Sequence, residues 1–130
     1  MEDFVTFEIA KKLKEKGFDE ACYNYYEPLK HCLSELKTQF TNKEGEYYGI
    51  ITAPTISQVL KWLRKEKKIS IEPGIHCSLK WVCGIYGFND DISDFTQYSN
   101  DGIDDTVYIL YDSYEQAALA GIEYVLDNLI

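Results

Sequence analysis

The sequence has no apolar run near the roughly 20 residues that a membrane-spanning helix needs. Residues 1–4 also lack the basic and apolar regions with which a secretory signal peptide begins. Because nothing in the 130 residues indicates an oxidising compartment, we expect all four cysteines to be free thiols. These absences predict a cytoplasmic protein that does not bind membranes.

Positive charge is scarce. Thirteen lysines and arginines stand against 22 aspartates and glutamates, which leaves a net charge of −9. A protein that binds the nucleic-acid backbone needs a basic surface, so we expect no binding of that kind. The basic residues between positions 61 and 68 lie near the C-terminal end of a predicted helix, where the helix dipole favours cations.

The sequence lacks the spacing of a metal site. The pairs His31-Cys32 and His76-Cys77 together offer two cysteines and two histidines, but neither pair has the ligand separation of a structural zinc site. The acidic stretch 101–105 does not follow the register of a calcium-binding loop. We therefore expect no metal and no cofactor.

No catalytic motif is recognisable either. Nucleophilic catalysis needs a thiolate or hydroxyl in contact with an oriented base, and adjacency of Cys and His in sequence does not establish that contact. Gly84 and Gly87 lie inside a strand pattern instead of a phosphate-binding loop. We expect a protein that is not an enzyme. A hydrolase with a Cys-His or paired-carboxylate site is the weaker alternative.

The residues that are present predict one α+β domain over residues 1–130. Apolar residues make up 45% of the chain, and a chain of this length can bury one core. Helices are predicted at 7–16, from position 56 onward, and from position 114 to about 128. Their N-terminal caps are Thr6, Thr55 and Ser113, and the last two begin capping boxes.

Strands are predicted at 21–27, 47–52, 69–72, 75–88 and 106–111 from aromatic content and alternating polarity. Between them, residues 29–36 suggest a short helix, 38–46 a loop, and 89–105 an acidic loop or hairpin tip. The pattern predicts an antiparallel sheet with about three helices packed mainly on one face.

Tyrosine is unusually frequent, with eleven residues. Tyrosine is enriched at protein interfaces because it combines apolar area with a polar tip. The competing interpretation is that these tyrosines fill and border a small core. The residues that we expect to bind a partner are Tyr23, Tyr25, Tyr48, Tyr86 and Tyr108.

Three segments of the sequence resemble a known family as a set. They are residues 3–18, residues 53–66 with Ala53-Pro54-Thr55 at their start, and residues 111–122. In this order they are similar to a family of small proteins, without an established function, from gut Bacteroidales and their phages and mobile elements. The resemblance covers about half of the chain and does not extend to 29–46 or 89–105. It implies an intracellular accessory protein.

The sequence therefore predicts a non-enzymatic accessory protein that binds another protein through an aromatic or acidic surface. The alternative is a phage counter-defence protein that binds a small ligand or a nucleotide in an aromatic pocket. An acidic mimic of DNA is a variant of the first hypothesis. The sequence leaves the partner and the oligomeric state open.

Overall fold

The computed structural model describes residues 3–29, 32–75, 79–88, 95–99 and 110–130. The chain divides into two compact units, one formed by Met1–Ile56 with Ile130 and the other by Ser57–Leu129. The helices of the described residues are α1 (Phe7–Glu15), α2 (Asn42–Gly45), α3 (Ile56–Glu66) and α4 (Tyr114–Asn128). The strands are β1 (Cys22–Tyr26), β2 (Leu33–Phe40), β3 (Ile51–Thr52), β4 (Ile69–Ile75), β5 (Trp81–Phe88) and β6 (Phe95–Ser99).

Helix α1 has a local signal at each end. The Thr6 side chain accepts a hydrogen bond from the Ile9 N–H, which satisfies a donor in the first turn. At the other end Gly17 has a φ of +88°, and the Phe18 N–H donates to the Leu13 carbonyl at 2.9 Å. This is the Schellman ending, in which glycine takes the left-handed conformation after the helix. It turns the chain so that the Phe18 side chain enters the core.

The first unit has a three-stranded antiparallel sheet in the order β2-β1-β3. Residues 3–5 pair with the segment that precedes α3, since the Val5 N–H donates to Pro54 and the Ile56 N–H donates to Asp3. Tyr26 on β1 connects residues 3–5 to the sheet, because its hydroxyl donates a hydrogen bond to the Val5 carbonyl at 2.7 Å. Both side chains are buried, so this hydrogen bond lies inside the core of the unit.

The second unit has a three-stranded antiparallel sheet in the order β4-β5-β6, against which α4 packs. Gly121 is the point of closest approach. A Cβ atom there would lie 2.6 Å from the Cys83 Sγ and 2.8 Å from the Ile71 Cγ2. Only glycine therefore lets the helix backbone lie this close to the sheet. The other buried residues of α4 are Ala117, Ala118, Ile122, Val125 and Leu126.

The α+β class, the antiparallel pairing and the packing of helices on strands are confirmed. The three predicted helices are present, and the buried residues of α3 include Ile56, Val59, Leu60 and Leu63, which share one face at helical spacing. The strands form two sheets instead of the one sheet that the pattern predicts. In the part of the chain that the structure describes, no helix has the length and apolar character needed to span a membrane.

Several local predictions are wrong. Of the short helix predicted from the leucines at 29–36, residues 33–36 belong instead to β2, which pairs with β1, and residues 30–31 lie outside the described residues. The predicted loop at 38–46 contains the end of β2 and the whole of α2, and the strand predicted at 47–52 is reduced to β3 after a 3-10 turn at Glu46–Tyr48. Strand β6 lies in the segment predicted as an acidic loop or hairpin tip. The remainder of 89–105, and residues 106–109 of the strand predicted at 106–111, lie outside the described residues, and Tyr111 forms an isolated bridge with Trp81.

We expect Gly121→Ala to destabilise the protein by about 1–3 kcal/mol, since overpacking a buried contact costs this much. A loss of stability would be informative, because alanine in a helix interior is otherwise more stabilising than glycine by about 1 kcal/mol. The control is Gly74→Ala on β4, where an added Cβ meets no atom within 4 Å. Urea unfolding of both variants measures the difference. A Gly121→Ala variant at least as stable as the parent would contradict the close approach.

Burial raises the pKa of Tyr26 above its ordinary value of 10.0. The unfolded chain therefore loses this proton first as the pH rises through 10, and stability falls from there toward the folded pKa. We expect Tyr26→Phe to cost about 1 kcal/mol at neutral pH through the lost hydrogen bond. The variant should also lose less stability than the parent between pH 9 and pH 11.

Thermal unfolding across this pH range measures both effects. The control is Tyr47→Phe, whose side chain is 88% exposed. An alkaline loss of stability that is the same in Tyr26→Phe and in the parent would show that Tyr26 is not its source.

Candidate functional site

The pairing of β1 with β2 is interrupted by a bulge. Cys22 pairs with Phe40 and Asn24 pairs with Glu35, so the single residue Tyr23 lies opposite the four residues 36–39. The extra residues of β2 cannot join the ladder, and they bend the strand away from its partner. This bulge forms one wall of an open groove in the first unit.

The groove has a volume of about 850 Å³. Its walls come from β1, the turn after β1, the bulge and end of β2, α2, the 3-10 turn, and the segment that joins this turn to β3. The residues that line it are Tyr25, Glu27, Pro28, Leu29, Leu36, Thr38, Gln39, Phe40, Glu44, Gly45, Tyr48, Gly49 and Ile50. All of them belong to the first unit.

The floor of the groove is packed. Phe40 and Ile50 are buried, and the Tyr25 ring meets the Phe40 ring edge to face at 6.0 Å between centroids. Gly45 closes the floor beside Ile50, whose N–H donates to the Gly45 carbonyl at 3.1 Å. A Cβ on Gly45 would lie 3.0 Å from the Ile50 carbonyl oxygen, so glycine permits this contact.

The rim of the groove carries large apolar side chains that are open to solvent. Leu29 is 99% exposed, Tyr48 is 74% exposed and Leu36 is 38% exposed. The Tyr48 ring contacts the ring of its neighbour Tyr47 edge to face at 5.0 Å. Large apolar side chains therefore surround a packed floor without being covered by the described part of the chain.

Helix α2 is held in place by the side chain of Asn42, which is buried. Its Nδ2 donates to the Phe18 carbonyl at 2.7 Å, and its Oδ1 accepts from the Thr52 N–H at 2.9 Å. One side chain thus joins α2 to the segment after α1 and to β3. Because Glu44 and Gly45 follow in the same turn of helix, Asn42 positions that wall of the groove.

A capping box fixes Glu44. The Glu44 N–H donates to the Thr41 hydroxyl, and the Glu44 Oε1 accepts from the Thr41 N–H at 3.2 Å. Each of the two residues thereby satisfies a backbone donor of the other at the helix start. The hydrogen bond from the Thr41 N–H therefore fixes the position of the Glu44 carboxylate at the groove.

Of the five predicted partner-binding residues, two line the groove. Tyr25 and Tyr48 come together there from separate elements. Tyr23 is 48% exposed on β1 opposite the bulge and is not part of the lining. Tyr86 lies half-buried on β5 in the second unit, and Tyr108 lies outside the described residues.

Sequence reasoning missed most of the other lining residues. Glu44 carries a readable signal, because Thr41-Asn42-Lys43-Glu44 has the Ser/Thr-x-x-Glu pattern of a capping box. Leu29, Leu36 and Phe40 have a spacing that also fits a helix face, and the bulge breaks the alternation that would have indicated β2.

The His-Cys pairs fall largely outside the described residues, which include only Cys32 of the four. Cys22 and Cys83 are buried free thiols and Cys32 is an exposed one. Within the described ranges, no group of three or more His, Cys, Asp or Glu side chains is arranged to hold a metal ion.

Comparison with known proteins finds no matching family model, no matching curated protein and no matching solved structure.

We expect Asn42→Ala to lower the free energy of unfolding by about 2 kcal/mol or more, because each buried backbone group that loses its partner costs about 1–3 kcal/mol. The control is Lys43→Ala in the same helix. Lys43 is exposed, and its backbone N–H keeps the hydrogen bond to Asp19 Oδ1 at 2.9 Å. Denaturant unfolding distinguishes the two variants. Equal stability of both would contradict the role of Asn42.

Proposed function

We propose that this protein is a non-enzymatic binding module whose groove in the first unit takes a short segment of another protein. One observation carries the proposal: six of the nine large hydrophobic side chains that are exposed among the described residues fall between positions 23 and 48. They are Tyr23, Leu29, Leu33, Leu36, Tyr47 and Tyr48. Concentrated exposed apolar surface is typical of interaction sites.

Energetics support this use of the groove. Removing apolar surface from water contributes roughly 25 cal/mol per Å². Leu29 and Tyr48 hide little of their surface within the described chain. A partner that covers them would gain free energy that folding leaves unused. Their packed neighbours Phe40 and Ile50 offer a preformed floor, so little ordering entropy opposes binding.

The alternative is a binding site for a small ligand. The groove volume of about 850 Å³ lies within the range of about 300–1,000 Å³ that is usual for such sites. Against it, small-ligand sites bury about 70–90% of their ligand, whereas this rim is largely exposed. The exposed rim favours a protein segment that extends beyond the groove.

The cellular setting is part of the proposal. We place the protein in the cytoplasm as an accessory factor, in line with the resemblance to small proteins of Bacteroidales and their mobile elements. The free thiols of Cys22, Cys32 and Cys83 suit a reducing compartment.

Selection of a random peptide library on the purified protein tests the function. We expect enriched peptides whose affinity falls at least tenfold for the double variant Leu29→Ala/Tyr48→Ala, because both side chains line the groove. The matched control is Tyr23→Ala/Tyr47→Ala, which removes exposed apolar residues that do not line it. Melting temperatures verify that both double variants are folded.

Peptides that bind equally well to the groove variant and to its control would contradict the proposal. A thermal shift with a panel of nucleotides, present in the parent and lost in Leu29→Ala/Tyr48→Ala, would favour the small-ligand alternative.

A further inference from the structure

The charge of the groove is one-sided. Glu27 and Glu44 both line it, and no lysine or arginine is among its described lining residues. The nearby lysines Lys37 and Lys43 are exposed and do not line the groove, so the charged side chains among its described lining residues are acidic. Like charges that are brought together on binding are costly, so the groove disfavours an acidic occupant.

The aromatic side chains of the groove also favour a positively charged occupant. The faces of Tyr25 and Tyr48 carry the negative part of the ring quadrupole, which attracts cations. Tyr25 is held in place by its edge-to-face contact with Phe40, and Tyr48 is 74% exposed at the rim. A groove that combines tyrosine rings with carboxylates is chemically suited to a cationic side chain with an apolar stem.

Glu44 is preorganised for this role. Its capping box with Thr41 holds the carboxylate at the start of α2, and Asn42 anchors that helix to the core. The carboxylate is therefore already oriented in the free protein, so it loses little conformational entropy when a partner binds.

From these observations we propose that the partner segment carries an arginine or lysine beside an aliphatic or aromatic residue. The basic side chain lies between the tyrosine rings and the two carboxylates, and its apolar neighbour covers the Leu29–Leu36 rim. This inference rests on the proposed function and specifies the chemistry of the partner.

The test uses the peptides recovered by display selection and two neutral variants of the lining. Glu27→Gln removes one charge, and Glu44→Gln removes the other while glutamine preserves the capping box. Glu46→Gln is the control, since this exposed carboxylate lies two residues from Glu44 and does not line the groove. Affinities are measured by fluorescence anisotropy at low and high salt.

We expect arginine or lysine to be enriched at one peptide position. Each lining variant should weaken binding about two- to fivefold, the range of a partly exposed ion pair. Glu46→Gln should change it less than twofold. High salt should weaken binding to the parent several-fold and binding to Glu27→Gln/Glu44→Gln much less.

Peptides that depend on Leu29 and Tyr48, yet lack a basic residue and tolerate both glutamine variants, would overturn this inference while the proposed function stands. Failure to recover any groove-dependent peptide would overturn both. Free arginine or spermidine that competes as strongly as the peptide would show a small-cation site and would overturn the assignment to a protein segment.

Discussion

The groove of the first unit depends on one buried side chain. Asn42 satisfies a carbonyl 24 residues before it and an N–H ten residues after it, so its amide connects α2 both to the segment after α1 and to β3. Helix α2 has only four residues, too few for a helix to be stable by itself in water. Tertiary contacts must therefore hold it, and the Asn42 hydrogen bonds are contacts of that kind. The wall formed by Glu44 and Gly45 follows from this attachment.

The helices were predictable because their signals are local. The cap at Thr6, the left-handed Gly17 after α1 and the i, i+3, i+4 spacing of the buried residues of α3 each act within a few residues of the chain. Ser113 likewise caps α4, although the Gln116 Oε1 accepts its hydrogen bond from the Asp112 N–H instead of the Ser113 N–H. Gly121 was readable as a small residue on an apolar face, but its partners Ile71 and Cys83 lie far away in sequence.

The groove was only partly predictable because its parts are defined by pairing between strands. The leucines of 29–36 have a spacing compatible with a helix, yet β1 offers them a strand partner, and tertiary context overrides the weak local preference. The bulge depends on the register of Cys22 with Phe40, a relation that a single sequence does not contain. Tyr25 and Tyr48 were recognisable as candidates from composition, whereas their joint position in one groove required the sheet.

The bulge in β2 also bears on the solubility of the protein. Strand β2 lies at the edge of its sheet, where a straight run of unpaired backbone groups would serve as a template for another chain. Four residues opposite one interrupt that run, and Lys37 in their midst places an exposed charge on the edge. Bulges and lysines are the devices by which natural sheets avoid edge-to-edge aggregation. The irregularity that shapes the groove thus also interrupts the edge along which another strand would pair.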